Sequence, residues 1–103
     1  MEKGTVKPEP KMAFRAQLAE FNFLRVDLGP LEKGAVLWIS KDPKDRCRGL
    51  LATYARSADF DRTPLSDEEV EEMWSEWRAT GLVRISARHR KMFERRLKKW
   101  REE

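Results

Sequence analysis

The sequence predicts an α+β protein in which a short N-terminal helix and a β-hairpin pack against three C-terminal helices. Two segments in the C-terminal half repeat apolar residues with the helical period and carry helix caps. Residues 35–40, AVLWIS, are rich in β-branched and aromatic residues, as strands are. A chain of 103 residues is long enough for one domain, which we assign to residues 12–103.

The first eleven residues are charged, contain two prolines and show no periodicity. Such a segment buries too little apolar surface to fold by itself. We therefore predict a flexible leader over residues 1–11.

Residues 12–21 fit two patterns. Phe14, Leu18 and Phe21 follow one another at helical spacing and predict a short helix. Apolar residues also alternate from Met12 to Leu18, which suits a strand equally well. We take the helix as the prediction and keep the strand as its alternative.

A β-hairpin is predicted over residues 22–40. Its strands are FLRVDL and AVLWIS, and the segment GPLEKG between them supplies the turn. A helix is then predicted over residues 43–58, with Asp42 as its N-cap and Pro43 in the first helical position. The inner side of this helix would consist of Cys47, Leu51, Tyr54 and Ala58.

The two C-terminal helices are predicted over residues 66–80 and 86–102. Ser66 with Glu69 forms a capping box, Gly81 ends the first helix, and Ser86 caps the second. Their apolar stripes are Val70, Met73, Trp74 and Trp77 in the first and His89, Phe93, Leu97 and Trp100 in the second. The four tryptophans, including Trp38 in the strand AVLWIS, are therefore interpreted as core residues.

Composition and the length of the apolar stretches predict the source and the location of the protein. Charged residues make up 39% of the chain, the net charge is +4, and thermolabile residue types are scarce, which together predict a thermophilic source. No apolar stretch reaches the roughly 20 residues that span a bilayer, and no signal peptide is recognisable, so we expect an intracellular protein without a membrane partner.

No catalytic constellation is apparent. His89, the sole histidine, falls at the edge of an apolar stripe, where a core role is favoured. Asp59 and Asp61 lack the further ligands of a metal loop, and Cys47 is the only cysteine. We predict neither catalytic activity nor a cofactor. The basic charge is the only feature that would support an enzyme acting on nucleic acid, because no residue pattern supplies a general base or a metal site.

The last helix carries the functional signal. Between Arg84 and Arg101 there are nine basic residues and one acid, Glu94. Opposite the apolar stripe lie Arg88, Lys91, Arg95, Lys98 and Lys99, with Arg84 just before the helix. These six residues predict a phosphate-binding face for DNA or RNA.

Three other interpretations stay open. The basic face can be an ordinary solvated surface of a thermophile protein. It can bind an acidic protein surface, or the acidic preceding helix of a second copy, which gives an interaction module or a homo-oligomer. The two capped helices also fit the outline of a helix-turn-helix, although the link TGLVRI is long and apolar.

Overall fold

The computed structural model of the protein describes residues 11–42, 44, 49–53 and 60–102, with the backbone alone at residues 21, 60 and 61. The strands are β1 (Met12–Leu18), β2 (Phe23–Asp27), β3 (Ala35–Ser40), β4 (Leu50–Thr53), β5 (Phe60–Arg62) and β6 (Leu82–Ile85). The helices are α1 (Asp67–Thr80) and α2 (Ala87–Glu102), and a 3-10 turn covers Glu20–Asn22. All pairs in the sheet are antiparallel, and its order is β5-β4-β3-β2-β1-β6.

This architecture corrects the predicted one. The fold is α+β, but an antiparallel sheet dominates it, and the described residues contain two α-helices, one of them at the C-terminal end. The predicted short N-terminal helix is wrong, and so is the predicted helix 43–58 where the structure describes it. The protein is therefore a sheet with a helical layer rather than a hairpin on a helical bundle.

The predicted N-terminal helix is strand β1. Phe14 and Ala16 are buried whereas their neighbours Ala13 and Arg15 are exposed, so the period of two is the one that the fold uses. Residues 12–15 pair with β6, and residues 16–18 pair with β2. A partner that lies some 70 residues away in sequence decides the conformation of this segment.

Strands β2 and β3 form an antiparallel hairpin within the predicted range 22–40. The N–H of Leu28 donates to the carbonyl oxygen of Ala35 at 2.9 Å and closes the turn. Gly34 adopts a φ of 84°, a left-handed conformation that a residue without Cβ adopts at little cost.

The predicted helix 43–58 is wrong where the structure describes it, because residues 50–53 form β4 and pair with β3. Asp42 Oδ1 accepts the N–H of Lys44 at 2.9 Å, and residues 43 and 45–48 lie outside the described residues. Leu51 is buried as predicted, but on a strand. Cys47, Tyr54 and Ala58 lie outside the described residues, as does the leader except for Lys11.

One face of the sheet and both helices share the core. The strands contribute Phe14, Ala16, Leu24, Val26, Leu37, Ile39, Leu51, Val83 and Ile85. The helices contribute Val70, Met73, Trp74, Phe93 and Leu97. Both helices therefore lie on the same side of the sheet, and their predicted apolar stripes are confirmed.

The capping signals of α1 are confirmed. Ser66 Oγ accepts the N–H of Glu69 at 3.1 Å, and Glu69 Oε1 accepts the N–H of Ser66 at 2.9 Å. Gly81 ends the helix with a φ of 77°. The chain then reverses into β6, so the segment read as an apolar link is a strand, and the two helices are not joined by the tight turn of a helix-turn-helix.

No helix in the described ranges is both long enough and apolar enough to cross a membrane.

Candidate nucleic-acid interface

Helix α2 is fixed in orientation by its first turn and its inner side. Ser86 Oγ accepts the N–H of His89 at 3.2 Å, which satisfies one of the free amides at the start of the helix. Phe93 and Leu97 are buried in the core, and Trp100 packs against it partly buried. The inner side therefore determines which residues of α2 face outward.

The outward side carries the five predicted cations. Exposed on it are Arg88, Lys91, Arg95, Lys98 and Lys99. At 3.6 residues per turn these positions fall within an arc of about 100°, and Arg88 and Lys99 are separated by about 16 Å along the axis. We call these five residues the α2 basic face.

Two acids accompany the α2 basic face. Glu94 lines a shallow depression together with Arg88, Lys91 and Arg95, and Glu102 is exposed in the last turn. Five cations against two acids leave the surface clearly positive. Exposed cations of this kind are accessible to the regularly spaced phosphates of a polymer.

Arg84, the sixth predicted contact, lies on β6, just before α2. Its Nε is 2.5 Å from Glu76 Oε2 of α1, and its own backbone N–H donates to Glu76 Oε1 at 3.4 Å. Its guanidinium is thus engaged by a carboxylate of the same chain.

Charged side chains on the flanks of the helices also contact other parts of the chain. Glu69 caps α1, and Glu76 binds Arg84 of β6. Arg96 donates to Thr63 Oγ1 at 2.9 Å, and Arg101 Nη1 lies 3.5 Å from Glu32 Oε1 in the turn between β2 and β3.

A small polar cleft separates the starts of the two helices, and His89 lies in it. The cleft is lined by Lys11, Glu69, Glu72, Met73, Glu76, Arg84, Ser86 and His89. His89 is 6% exposed and stacks on Phe93 with ring centroids 6.2 Å apart, which confirms its predicted place at the core edge.

The geometry around His89 is not that of a nucleophile with its base. Ser86 Oγ and Glu69 Oε2 approach the same ring nitrogen, Nδ1, at 3.2 Å and 3.6 Å. A serine–histidine–carboxylate relay requires the serine and the acid on opposite nitrogens. Ser86 and Glu69 are instead the capping residues of α2 and α1.

No group of three or more histidine, cysteine or acidic side chains gathers within metal-binding reach in the described part of the chain. The side chains of Asp59 and Asp61 lie outside that part. The described residues therefore offer no ligand set for a metal cofactor.

The tryptophans divide between two faces of the sheet. Trp74 is buried, and Trp77 and Trp100 pack against the same core, as predicted. Trp38 differs: its neighbours Leu37 and Ile39 point into the core, so Trp38 lies on the opposite face, where it is half-buried. Alternation within β3 is the signal that sequence reasoning missed.

The sequence matches no protein-family model, no curated protein and no solved structure. Any assignment of function therefore depends on the chemistry of the chain itself.

Proposed function

We propose that this protein is a small, non-catalytic, intracellular nucleic-acid-associated protein that binds phosphates through the α2 basic face. The supporting observation is the exposure of all five cations on one side of a helix whose other side is held by the core. Phosphate contacts of this type supply affinity without reading sequence.

The acidic residues of α1 limit how a polyanion can approach. Glu68, Glu71 and Glu72 are exposed on the helix that shares the same side of the sheet. A duplex lying across both helices would meet repulsion from α1. We therefore expect a phosphate track to run along α2 alone, with a footprint of a few contacts.

Charge reversal on α2 tests the proposal. The variant Arg88→Glu/Arg95→Glu/Lys98→Glu removes three of the five contacts from exposed positions. Because each phosphate contact contributes about 0.9 to the salt slope on B-DNA, we expect the slope to fall by about 3 and the affinity to fall tenfold or more. The melting temperature should hardly change, because these side chains are exposed.

A matched control separates a specific face from overall charge. Lys33→Glu/Lys44→Glu/Arg78→Glu reverses three exposed cations elsewhere, so both variants have a formal net charge of −2 instead of +4. The control should retain most of the affinity. Equal affinity of the α2 variant and the natural protein would refute the proposal, and equal losses in both variants would show that only net charge matters.

An interaction module is the second candidate function. A shallow depression on α1 is lined by Asp67, Glu68, Glu71, Glu72 and Ser75. The outer surface of α1 is thus acidic, whereas that of α2 is basic. Such a molecule can associate head to tail with a second copy or bind a charged partner protein. Light scattering at several salt concentrations tests self-association, since oligomers held by these faces should dissociate as salt rises.

A further inference from the structure

The face of the sheet opposite the helices carries a continuous row of side chains across five strands. Direct cross-strand pairing joins Gln17 to Arg25, Arg25 to Trp38, Trp38 to Leu50 and Leu50 to Arg62. We call these five residues the sheet row. The next residues along the central strands, among them Leu24, Leu37 and Leu51, are fully buried in the core, so the sheet row faces away from both helices.

The sheet row combines an aromatic ring with cations. Trp38, Arg25 and Leu50 are half-buried, while Gln17 and Arg62 are exposed. Neighbouring strands are about 4.8 Å apart, which places Arg25 about 5 Å and Arg62 about 10 Å from Trp38 along the row. Trp38 therefore lies between Arg25, its direct neighbour, and Arg62, which is two strands away beyond Leu50.

The charge of this face is positive beyond the row itself. Arg15 lies on the same side of β1 as Gln17 and is exposed. The acid on this side of β2 is Asp27, whose Oδ1 accepts the N–H of Gly29 at 2.9 Å. On this side of β1 to β5, the described strand residues include three arginines and one acid, which give a positive charge that complements a polyanion.

We infer that the sheet row binds single-stranded nucleic acid, with a base stacked on Trp38 and the backbone phosphates held by Arg62 and Arg25. Unpaired bases expose the π-faces that an indole stacks on, whereas a duplex hides these faces between its stacked base pairs. Stacking accepts any base, so the binding is expected to be tolerant of sequence. This surface is distinct from the α2 basic face and does not depend on it.

The experiment is a titration of the full chain with a labelled 15-nucleotide oligo-dT and with a duplex, for three variants of the row. Trp38→Leu should weaken oligo-dT binding roughly five- to a hundredfold, the range of one base stacked on an aromatic ring. Trp38→Phe retains a ring and should recover most of that loss. Arg62→Glu changes an exposed side chain and should weaken binding to oligo-dT about tenfold. This variant still tests the inference if Trp38→Leu does not fold.

A second readout reports stacking itself. Tryptophan fluorescence should be quenched by oligo-dT in the natural protein, and much less in Trp38→Phe. Unchanged oligo-dT affinity in both Trp38→Leu and Arg62→Glu, or no oligo-dT binding by the natural protein, would overturn the inference.

The α2 variant distinguishes this inference from the proposed function. If Arg88→Glu/Arg95→Glu/Lys98→Glu loses duplex binding and keeps Trp38-dependent quenching by oligo-dT, both proposals stand. If Arg88→Glu/Arg95→Glu/Lys98→Glu binds duplex DNA, oligo-dT and structured RNA as the natural protein does, while oligo-dT binding still depends on Trp38, the α2 proposal fails alone.

Discussion

Glu76 and Arg84 connect α1 to the edge of the sheet through two contacts. Glu76 Oε2 lies 2.5 Å from Arg84 Nε, and Glu76 Oε1 accepts the backbone N–H of Arg84 at 3.4 Å. One turn further along α1, Thr80 Oγ1 accepts the N–H of Leu82 at 3.1 Å. Two side chains of α1 thus satisfy the outward amides of edge strand β6, which are otherwise a template for pairing with another chain.

Removing the carboxylate of Glu76 should destabilise the fold. Glu76→Ala leaves a strand amide and an arginine without their acceptor, and we expect the free energy of unfolding to fall by about 1 to 2 kcal/mol. Glu76→Gln keeps an acceptor for the amide and should lose less. Urea denaturation measures both, with Glu71→Ala on the exposed side of α1 as a control that should change stability by less than about 0.5 kcal/mol. A Glu76→Ala midpoint equal to that of the control would contradict this role.

Trp77 joins α1 to strand β1, next to the edge strand β6. Its indole Nε1–H donates to the carbonyl oxygen of Ala16 at 3.0 Å. Trp77→Phe keeps an aromatic ring but leaves that carbonyl without its donor, so we expect a loss of about 1 kcal/mol. Trp100→Phe is the matched control, because Trp100 is also partly buried against the core. The prediction is wrong if both substitutions have the same effect on the denaturation midpoint.

Two glycines should respond differently to replacement by alanine. A Cβ on Gly49 would overlap the carbonyl oxygen of Thr63. The two residues are held together, because the N–H of Thr63 donates to the carbonyl oxygen of Gly49 at 2.5 Å. A Cβ on Gly81 meets no atom within 4 Å, so Gly81→Ala has only the cost of a φ of 77°, about 1 kcal/mol. Gly49→Ala should therefore lower the melting temperature more than Gly81→Ala, and the reverse order would show that the contact between Gly49 and Thr63 adjusts at little cost.

The composition predicts a thermally stable protein. Dense charges with few thermolabile residues are typical of thermophiles, and the described residues include ion pairs between distant segments, such as Lys11 with Glu72 at 3.1 Å. We expect a melting temperature above the 45 to 65 °C or so at which mesophile domains cluster. Differential scanning calorimetry tests this, and a value inside that range would contradict the thermophilic source.

The sequence predicted best the parts of the fold that local interactions determine. Helices α1 and α2 were predictable because the capping box at Ser66, the stop at Gly81 and the apolar stripes lie within the helices themselves. The hairpin of β2 and β3 was predictable for the same reason, since its strands are separated only by their turn.

Strands that depend on distant partners were not predictable. Residues 12–18 fitted both the helical period and the period of two that is typical of a strand. Pairing with residues 82–85 makes this segment a strand. Strand β6 has four residues, and β4 also has four, which is too short for alternation to stand out from an apolar run. The pair Asp42–Pro43 is a valid helix start by local rules, yet residues 50–53 are held by β3.

The candidate site also combines features that local interactions determine with features that depend on distant strand pairing. The α2 basic face was predictable from a helical wheel, because its five residues belong to one helix. The contact of Arg84 with Glu76 and the position of Trp38 on the far side of the sheet depend on which strands pair. For this reason a helical wheel could not show that Glu76 binds Arg84, and the sequence grouped Trp38 with the core.

The measurement that tests the central claim most directly is the salt dependence of nucleic-acid binding. Fluorescence anisotropy of labelled duplex DNA, single-stranded DNA and structured RNA would be recorded against the protein at roughly 50 and 200 mM salt. The α2 basic face predicts binding to at least one of them with a log–log salt slope of about −3 to −5, reduced in Arg88→Glu/Arg95→Glu/Lys98→Glu. Absence of binding at micromolar protein, or a slope that this variant leaves unchanged, would contradict a phosphate-binding role for α2.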